Sequence, residues 1–396
     1  MTERATTGSA SEACERLAIA ADETHPVASL THNYYRYPAR FSDRFAREAI
    51  ASFTQPGDLV LDPFVGGGTT IVEALANGRR GIGTDISSLA CFVTRVKTTP
   101  LSEESAEIVL CALERATSGA HEQQGLMDEA KRHLRAVPWR LARAIAHARE
   151  HFRRIDKPRP RDFAQSVLLR TAQWALDNRR VLPSVRAFHE RMWSFAHEML
   201  AANVDMRARL RAVGVTQRSL SASRLVLRRS AQTIADDKRI ARFGDIQLVL
   251  TSPPYLGVHV LYHRWQVRGR KETGAPFWIA GVPDDRGGPS YTFVDRRSKS
   301  PHRYFEQVCM SFSAVARLLK PGVPLIQLVS FSRPDIHLRE YLEAIVSAGF
   351  EQCEAYSRSF GSYYWRDVPG RRWYNHLAGQ TASTGREVLL IHRRKP

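Results

Sequence analysis

Short apolar runs alternate with amphipathic stretches at both ends of the chain, and this alternation predicts its secondary structure. The apolar run at 59–61 predicts a buried strand that leads into a glycine-rich turn, and Thr70 and Glu73 then start a helix at capping-box spacing. A second strand is predicted at 81–85, with an acid at its tip. Further elements are predicted late in the chain: strands at 246–250, 324–329 and 388–391, and helices at 304–319 and 338–348. Strand, turn, helix and strand in this order are typical of one half of a doubly wound α/β domain.

The middle of the chain interrupts this alternation, because residues 101–240 follow a helical period. Phe188, Met192, Phe195 and Met199 are spaced four, three and four residues apart, which places them on one helix face and predicts a packed helix interface. We therefore predict a helical insertion within the α/β domain. The predicted divisions are a mobile tail at 1–28, an α/β domain formed by 29–100 and 241–396, and the insertion at 101–240.

The charge balance indicates a class of partner. The chain has 58 Lys and Arg against 40 Asp and Glu, a net charge of +18, and residues 101–240 carry 26 of these bases against 16 acids. Over half of the excess positive charge therefore lies in about a third of the chain, which favours a polyanionic partner such as nucleic acid. No apolar run reaches the roughly 18 residues needed to cross a bilayer, and the start of the chain has no signal-peptide pattern. We therefore expect a soluble, cytoplasmic protein.

The first candidate site is the glycine-rich turn that follows the strand at 59–61. Three consecutive glycines before a helix let the backbone approach a ligand closely, and the N–H groups at the helix start favour an anion. No Gly-Lys-Ser/Thr ends the turn, so it is not a phosphate-binding P-loop, and consecutive glycines do not match the dinucleotide spacing. Asp85 follows Asp62 by 23 residues, where an acid at the tip of the second strand would bind a ribose. The alternative is a structural glycine turn with a helix-capping aspartate.

The second candidate site is the turn Ser252-Pro253-Pro254-Tyr255, which follows the strand at 246–250. Two prolines end the strand and hold the backbone rigid. A rigid turn can present a carbonyl, the Ser252 hydroxyl and the Tyr255 ring to one pocket. Such a pocket suits a planar base, because the ring stacks on it while two acceptors bind its exocyclic amine. The alternative is an ordinary Pro-Pro turn.

Together, the two turns resemble the motifs of amino-group DNA methyltransferases, which move a methyl group from S-adenosylmethionine to an exocyclic amine of cytosine or adenine. The resemblance covers roughly 30–98 and 245–396. It implies a doubly wound, seven-stranded, Rossmann-like methyltransferase domain with Ser252-Pro253-Pro254-Tyr255 as the catalytic motif. The residues that it implies for cofactor binding are Phe41, Asp62, Phe64, Gly66, Gly68, Thr69 and Asp85.

The resemblance also implies a substrate and a mechanism. The serine form of the catalytic motif is usual for N4-cytosine enzymes, whereas aspartate or asparagine is usual for N6-adenine enzymes. We therefore expect methylation of cytosine N4 in double-stranded DNA, with the target base flipped out and the methyl transferred directly. None of the five cysteines follows a proline in a Pro-Cys catalytic context, so no cysteine adduct is expected. The cysteines form no CxxC pair and the 14 histidines show no metal-binding spacing, so no metal is expected.

Several alternatives remain open at this stage. They are N6-adenine methylation, RNA guanine-N2 methylation on the same fold, and a non-catalytic DNA-binding protein. No residue is a convincing match for the acid that contacts the adenine ring of the cofactor, and Asp236 and Asp237 are candidates only. The helical insertion is the candidate DNA-recognition region, and the basic, aromatic segments 262–271 and 363–374 are further candidate DNA contacts. We expect association with the nucleoid, with a cognate restriction endonuclease as a possible partner.

Overall fold

A computed structural model describes residues 7–23, 29–37, 41–118, 124–256, 264–269, 273–284, 293, 301–331, 333–361, 363–368 and 385–396. The strands in these ranges are β1 (Leu59–Asp62), β2 (Arg80–Asp85), β3 (Arg224–Arg228), β4 (Leu248–Thr251), β5 (Pro324–Val329), β6 (Phe350–Gln352), β7 (Tyr364–Asp367) and β8 (Arg386–Arg394). The α-helices are α1 (Thr7–Asp22), α2 (Asp43–Phe53), α3 (Thr69–Ala76), α4 (Ser88–Lys97), α5 (Glu103–Thr117), α6 (Gln124–His133), α7 (Trp139–Arg153), α8 (Pro158–Leu176), α9 (Val185–Ala212), α10 (Leu220–Ser223), α11 (Lys238–Phe243), α12 (Ala275–Ala280), α13 (Pro301–Ala316), α14 (Pro334–Ser347) and α15 (Glu354–Phe360). Two 3-10 helices lie at His32–Tyr34 and Ala231–Asp236.

The described strands form one sheet in the order β3-β2-β1-β4-β5-β8-β6. The first five of these strands are parallel, and β8 runs antiparallel between β5 and β6. An eighth strand, β7, pairs with residues 386–389 at the start of β8. β6 pairs with residues 392–394 at the end of β8. β7 lies within a segment that the sequence analysis left without an element. The predicted doubly wound α/β fold is confirmed, with one short strand more than the seven expected.

Alternate residues of the central strands face opposite layers of helices. Leu59 and Leu61 pack in a cluster with residues of α13 and α14, whereas Val60 packs with residues of α1 and α2 on the other face. Both faces of the sheet are therefore covered, which explains why these strands are apolar throughout rather than alternating. The crossover connections place the turns after β1 and β4 at one edge of the sheet.

The prediction of a mobile tail at 1–28 is wrong for residues 7–22, which form helix α1. Cys14, Leu17 and Ala21 are almost fully buried and pack against α2 and α15. These three residues are spaced three and four positions apart, a helical stripe that small side chains make inconspicuous in the sequence. Residues 1–6 and 24–28 of the predicted tail lie outside the described residues.

The helical insertion consists of α5 to α10 and shares its core with the α/β domain. Phe163 and Phe188 of the insertion belong to one buried cluster with Leu89 and Phe92 of α4. The insertion ends before residue 224, because β3 pairs with β2 at the edge of the sheet, so the predicted boundary at 240 differs from the structure. β3 begins and ends with arginine, so its sequence is not distinguished from the basic helical insertion before it. In the part of the chain that the structure describes, no helix is long and apolar enough to cross a membrane.

Candidate active site

The two sequence-predicted turns lie side by side at the point where the sheet reverses its strand order. β1 ends at Asp62 and β4 ends at Thr251, and these strands are parallel neighbours. From β1 the chain order runs outward through β2 and β3, and from β4 it runs the other way through β5. In open α/β sheets the crevice at this reversal is the usual ligand site. The fold thus brings the glycine turn and the Pro-Pro turn to one crevice.

Asp62 joins the two turns through its buried carboxylate. Its Oδ1 accepts hydrogen bonds from Thr251 Oγ1 at 2.6 Å and from the Phe64 N–H at 3.1 Å, and its Oδ2 accepts one from Thr70 Oγ1 at 2.6 Å. Burial raises the pKa of Asp62 to about 6, against the lowering effect of these hydrogen bonds. The carboxylate holds β1, α3 and β4 together, and its role in cofactor binding stays a prediction.

The glycine turn adopts a conformation that requires glycine. Gly66 and Gly68 have φ angles of +45° and +80°, in the left-handed region that other residues rarely adopt. A side chain at Gly67 would also meet Tyr37, since a Cβ there would lie 2.9 Å from the Tyr37 Cβ. The Gly66 N–H donates to Asp85 Oδ2 at 3.0 Å. The turn is therefore held between the Tyr37 ring and the tip of β2.

Asp85 ends β2 and is half-buried, as the sequence analysis expected of an acid at a strand tip. Its second oxygen, Oδ1, accepts the Ser87 N–H at 2.9 Å. A carboxylate is an acceptor only, so any further ligand here must be a hydrogen-bond donor. Ribose hydroxyls meet this requirement.

The turn also rests on helix α4 through a buried lysine. Lys97 is fully buried, and its Nζ donates to the Gly67 carbonyl at 2.7 Å. A Cβ at Gly68 would lie 2.7 Å from Thr94 Oγ1 on the same helix. Sequence reasoning missed Lys97, because it belongs to no local pattern that points to the turn.

Phe41 and Phe64 lie on different sides of the sheet. Phe41 is buried with Phe45 in the cluster that contains α1 and α2, with ring centroids 5.5 Å apart. Phe64 is half-buried and packs edge-on against Phe293 at 5.6 Å, on the side of α13. Residues 38–40, just before Phe41, lie outside the described residues. Contact of either ring with a cofactor stays a prediction.

The Pro-Pro turn is anchored to neighbouring strands and to α13. The Tyr304 hydroxyl donates to the Pro254 carbonyl at 2.8 Å. Ser252 Oγ donates to the Leu328 carbonyl at 3.0 Å and lies 2.7 Å from the Tyr255 hydroxyl. Pro253 is buried, and Tyr255 is only 6% exposed. The turn is rigid, and its aromatic ring is packed rather than open to solvent.

Two residues complete this hydrogen-bond network: Glu387, which no sequence motif indicated, and Arg366, which belongs to the predicted DNA-contacting segment 363–374 but is largely buried in an ion pair with Glu387. The Tyr255 hydroxyl lies 2.8 Å from Oε1 of Glu387, which is 3% exposed on β8. Arg366 on β7 donates from Nε to Glu387 Oε2 at 2.8 Å and from Nη1 to the Ala21 carbonyl at 2.6 Å. A buried ion pair with satisfied hydrogen bonds therefore lies directly behind the Pro-Pro turn.

The candidate adenine-contacting acids already have cationic partners. Asp237 caps α11 and forms ion pairs with Arg229 and Arg239. The hydrogen bond from Arg239 holds the pKa of Asp237 well below its usual range. Asp236 is exposed and lies 3.5 Å from Arg317. Both acids are used in ion pairs, and a role in cofactor binding stays a prediction.

The basic, aromatic segment 262–271 is only partly described. Its residue Trp265 is 2% exposed and packs in the core shared with the insertion. Residues 262, 263, 270 and 271 of this segment, and residues 369–374 of the segment 363–374, lie outside the described residues. The role of both segments in DNA contact stays a prediction.

One histidine and two acids lie close together although the sequence shows no metal-binding spacing. The ligand atoms of His32, Asp43 and Glu73 all lie within 4.8 Å of one another. Glu73 is already bonded to His32 Nε2 at 2.8 Å and to Arg47 Nε at 3.0 Å, and burial lowers the pKa of His32. The Arg47 guanidinium already supplies the positive charge that a cation would bring.

Comparison with known proteins identifies the segment that contains the glycine turn. A family model described as DNA methylase matches residues 18–94. This part of the chain is similar to the DNA methylase family. The methyl donor that the family implies is S-adenosylmethionine.

Curated relatives match over similarly short stretches. The Type II methyltransferase M.MvaI of Kocuria varians is 38% identical over 88 residues, which are 22% of this chain and 19% of that protein. The orphan methyltransferase M.BamHII of Bacillus amyloliquefaciens is 40% identical over 69 residues, 17% of this chain and 26% of that protein. The DNA adenine methyltransferase YhdJ of Escherichia coli K12 is 39% identical over 62 residues, 16% of this chain and 21% of that protein. The matches thus span about a quarter or less of these DNA methylase relatives.

The residues around the glycine turn fit the cofactor that the DNA methylase family implies. Thr69 Oγ1, at the start of α3, is buried and has no hydrogen-bond partner among the described residues. The backbone N–H groups at this helix start favour an anion such as the carboxylate of a methionine moiety. Asp85 supplies an acceptor for ribose hydroxyls. Thr69 and Asp85 are thus chemically compatible with S-adenosylmethionine, and contact of either residue with it stays a prediction.

Proposed function

We propose that the protein transfers a methyl group from S-adenosylmethionine to the exocyclic N4 of cytosine in DNA. The observation that carries this proposal is the hydrogen bond between Thr251 and Asp62, which links the Pro-Pro turn to the glycine turn of the methylase segment. Both turns flank one crevice at the reversal of strand order. A methyl donor on one side and a base on the other would meet in that crevice.

In the proposed reaction, residues of the Pro-Pro turn would make the cytosine amine, a weak nucleophile, able to attack the methyl group. The lone pair of the cytosine amine is delocalised into the ring, so the nitrogen must become pyramidal before it can attack. Ser252 Oγ and the Pro253 carbonyl would each accept one hydrogen of the amine and favour that form. When bound, S-adenosylmethionine would supply an electrophilic methyl group, whose bond to sulfur breaks as the bond to nitrogen forms, so that a neutral thioether leaves and the nitrogen then loses one proton. The anchored turn limits motion of the two acceptors, which supports an in-line approach at about 3–3.5 Å.

Tyr255 would stack on the base once the base has left the duplex. Its ring is 6% exposed, so neighbouring groups must move before a base can cover its face. The hydrogen bonds of its hydroxyl to Glu387 and Ser252 fix the edge of the ring while leaving the face as the surface for stacking. We therefore propose that base entry displaces packing around Tyr255 and keeps the hydroxyl network.

The serine at position 252 favours cytosine over adenine as the substrate base, by the resemblance described for the catalytic motif. The second candidate function is N6-adenine methylation, which the likeness to the DNA adenine methyltransferase YhdJ favours. Both reactions need the same two amine acceptors, so the turn geometry supports either base.

We propose that the insertion contributes a surface for the DNA backbone, which we term the arginine ladder. It consists of arginines and aromatic rings stacked alternately on α8, on α9 and on the segment between these helices: Arg179, Trp174, Arg191, Phe195 and Arg170. The guanidinium carbons lie 4.6 Å and 5.1 Å from the Trp174 ring centroid, and 5.4 Å and 3.9 Å from that of Phe195. Rings hold guanidinium groups in place at little entropic cost, and such groups suit phosphate binding.

The position of the arginine ladder supports this role. Gln173 lies next to Trp174 and bonds to the backbone of Arg36 through both of its amide atoms, and Arg36 precedes the Tyr37 that covers the glycine turn. The chain after α8 also pairs with the segment after the Pro-Pro turn, since the Asn178 N–H donates to the Gln266 carbonyl at 3.0 Å. The ladder is therefore connected to both sides of the crevice. Among its three arginines, Arg170 has an ion pair, with Glu198 at 2.6 Å.

We further propose that the protein works at the nucleoid in the cytoplasm, as a net charge of +18 favours. One relative is named a Type II methyltransferase, and on this likeness we propose a cognate restriction endonuclease as its partner.

A single experiment tests the proposed function. Genomic DNA is incubated with the full chain and S-adenosylmethionine labelled on the methyl group, then digested to nucleosides and separated. We expect the label in N4-methylcytosine. Label in N6-methyladenine would favour the second candidate function, and label found only in a parallel incubation with RNA would contradict both.

A further inference from the structure

A chain of three hydrogen-bonding groups runs from the Pro-Pro turn into the core. Ser252 Oγ lies 2.7 Å from the Tyr255 hydroxyl, and that hydroxyl lies 2.8 Å from Oε1 of Glu387. Glu387 is on β8, 132 residues beyond Tyr255, and is 3% exposed. No motif in the sequence connects it with the turn. Its position behind the two residues of the candidate catalytic motif raises the question of what a buried carboxylate does there.

The carboxylate can only accept hydrogen bonds. Arg366 donates from Nε to Glu387 Oε2 at 2.8 Å and also contacts this oxygen through Nη2, so the second oxygen of the carboxylate is paired with a guanidinium. This fork-like pairing favours a charged carboxylate, which has no hydrogen to give. The hydrogen between Tyr255 and Glu387 must therefore come from the tyrosine hydroxyl.

This choice determines the direction of the remaining hydrogen bonds. A phenol has one hydrogen, and once it points to Glu387 the oxygen can only accept from Ser252. The Ser252 hydrogen then points either to Tyr255 or to the Leu328 carbonyl at 3.0 Å. In both cases the two lone pairs of Ser252 Oγ are left to accept hydrogens from another group. An exocyclic amine, which offers hydrogens, needs such an acceptor.

We propose that Glu387 is a positioning residue that orients the hydrogen bonds of Tyr255 and Ser252, so that Ser252 acts as an acceptor for the substrate amine. The inference rests on the proposed function and adds to it a residue far from the catalytic motif. Arg366 acts with Glu387, because it keeps the carboxylate charged and in place. Neither residue contacts the base, and both act through Tyr255.

Glu387→Gln is expected to reverse the direction of these hydrogen bonds while nearly preserving the shape of the side chain at position 387. The amide oxygen would face the donors of Arg366, so the amide NH2 would face the Tyr255 hydroxyl. The phenol would then accept from the amide, and its hydrogen would turn toward Ser252 or Leu328. When it points at Ser252, it occupies one of the two lone pairs of Oγ and competes with the substrate amine for this acceptor. We expect kcat to fall at least about tenfold while the affinity for S-adenosylmethionine stays within about twofold.

The decisive comparison repeats this exchange in a Tyr255→Phe background. Phenylalanine has no hydroxyl, so Ser252 donates to the Leu328 carbonyl whatever residue is at position 387. The direction of the hydrogen bonds can therefore no longer change. Glu387→Gln should therefore have almost no further effect on kcat in Tyr255→Phe. If Glu387 only stabilises the fold through Arg366, the exchange should lower kcat by the same factor in both backgrounds.

The experiment uses the full chain as wild type, the two single variants, the double variant and the control Glu351→Gln, an exposed glutamate on β6. For each protein we measure kcat and KM for methyl transfer to DNA, cofactor affinity and urea unfolding. The expected result is a fall in kcat for Glu387→Gln, no further fall in the double variant, and wild-type values for Glu351→Gln. Equal falls in both backgrounds, or wild-type kcat in Glu387→Gln, would overturn the inference.

A further variant keeps the inference open to disproof if Glu387→Gln does not unfold cooperatively. Glu387→Asp retains a group that only accepts, so a folded Glu387→Asp protein should keep kcat within about fivefold of wild type, and a loss above tenfold would overturn the inference. A wild-type protein without methyl transfer to any nucleoside would instead contradict the proposed function. The two failures are thus distinguishable.

Discussion

Thr251 Oγ1 donates a hydrogen bond of 2.6 Å to Asp62 Oδ1, and this bond joins the ends of two neighbouring parallel strands. Asp62 opens the glycine turn, and Thr251 is the residue directly before the Pro-Pro turn. Both side chains are almost fully buried. The two turns are therefore joined by a hydrogen bond to a carboxylate, which is among the stronger kinds in a protein interior.

The raised pKa of Asp62 predicts an unusual contribution to the pH dependence of stability. The pKa is about 6 in the folded protein, whereas the ordinary value is 3.8. The folded state therefore holds the proton more tightly, so this group's contribution is complete below pH 4 and is lost as the pH rises through 6. One unit of pKa corresponds to about 1.4 kcal/mol, so the loss is about 3 kcal/mol.

Asp62→Asn tests this prediction because asparagine does not titrate. The free energy of unfolding of wild type and variant is measured in urea between pH 4 and pH 7.5. We expect wild type to lose about 3 kcal/mol relative to the variant as the pH rises, on top of a constant difference from the altered hydrogen bonds. Parallel curves for the two proteins would show that the pKa of Asp62 is ordinary.

Asp85 is predicted to be the main determinant of cofactor affinity. Asp85→Ala removes the acceptor for ribose hydroxyls and also the partner of the Gly66 N–H, so the glycine turn is loosened as well. We expect binding of S-adenosylmethionine to weaken by about 1.5–3 kcal/mol, measured by calorimetry. Asp245→Ala is the control, since Asp245 is an exposed acid beyond the opposite end of the sheet, before β4. Equal affinities in Asp85→Ala and wild type would contradict the assignment.

Ser252 is predicted to affect turnover more than binding. Ser252→Ala removes an acceptor of the amine but leaves the Tyr255–Glu387 bond and the Tyr304–Pro254 bond in place. We expect kcat to fall by about 100-fold, while the affinities for DNA and for cofactor change less than about threefold. Single-turnover methyl transfer and fluorescence titration measure the two effects separately. A loss of DNA affinity with unchanged kcat would indicate a binding role instead.

The arginine ladder is predicted to set the salt dependence of DNA binding. Arg179→Ala/Arg191→Ala should reduce the slope of log K against log salt by about 2, because each phosphate contact contributes about 0.9. Arg211→Ala/Arg218→Ala is the matched control, since these arginines are exposed near the far end of the insertion. Filter binding between 50 and 200 mM salt gives both slopes, and cofactor affinity should stay unchanged. A larger change in the control pair would place the DNA on another face.

Much of the fold and the core of the candidate site could be predicted from the sequence because their signals are local. The apolar run Leu59–Leu61, the glycines that follow it and the turn Ser252-Pro253-Pro254-Tyr255 are each contiguous. Backbone conformation at such places depends on the residues themselves, since glycine permits positive φ angles and proline ends a strand. The order of these elements along the chain also predicted the doubly wound sheet, as crossover connections follow few topologies.

The rest was decided by the tertiary structure, because it depends on contacts between residues far apart in sequence. Glu387 and Arg366 meet Tyr255 only because β8 lies antiparallel beside β5 and β7 lies against β8. Likewise Tyr37 covers the glycine turn, and α1 packs against α15 from the other end of the chain. A buried ion pair or an edge strand such as β3 has no periodic pattern of its own. Such features become visible only when folding brings their partners together and removes them from water.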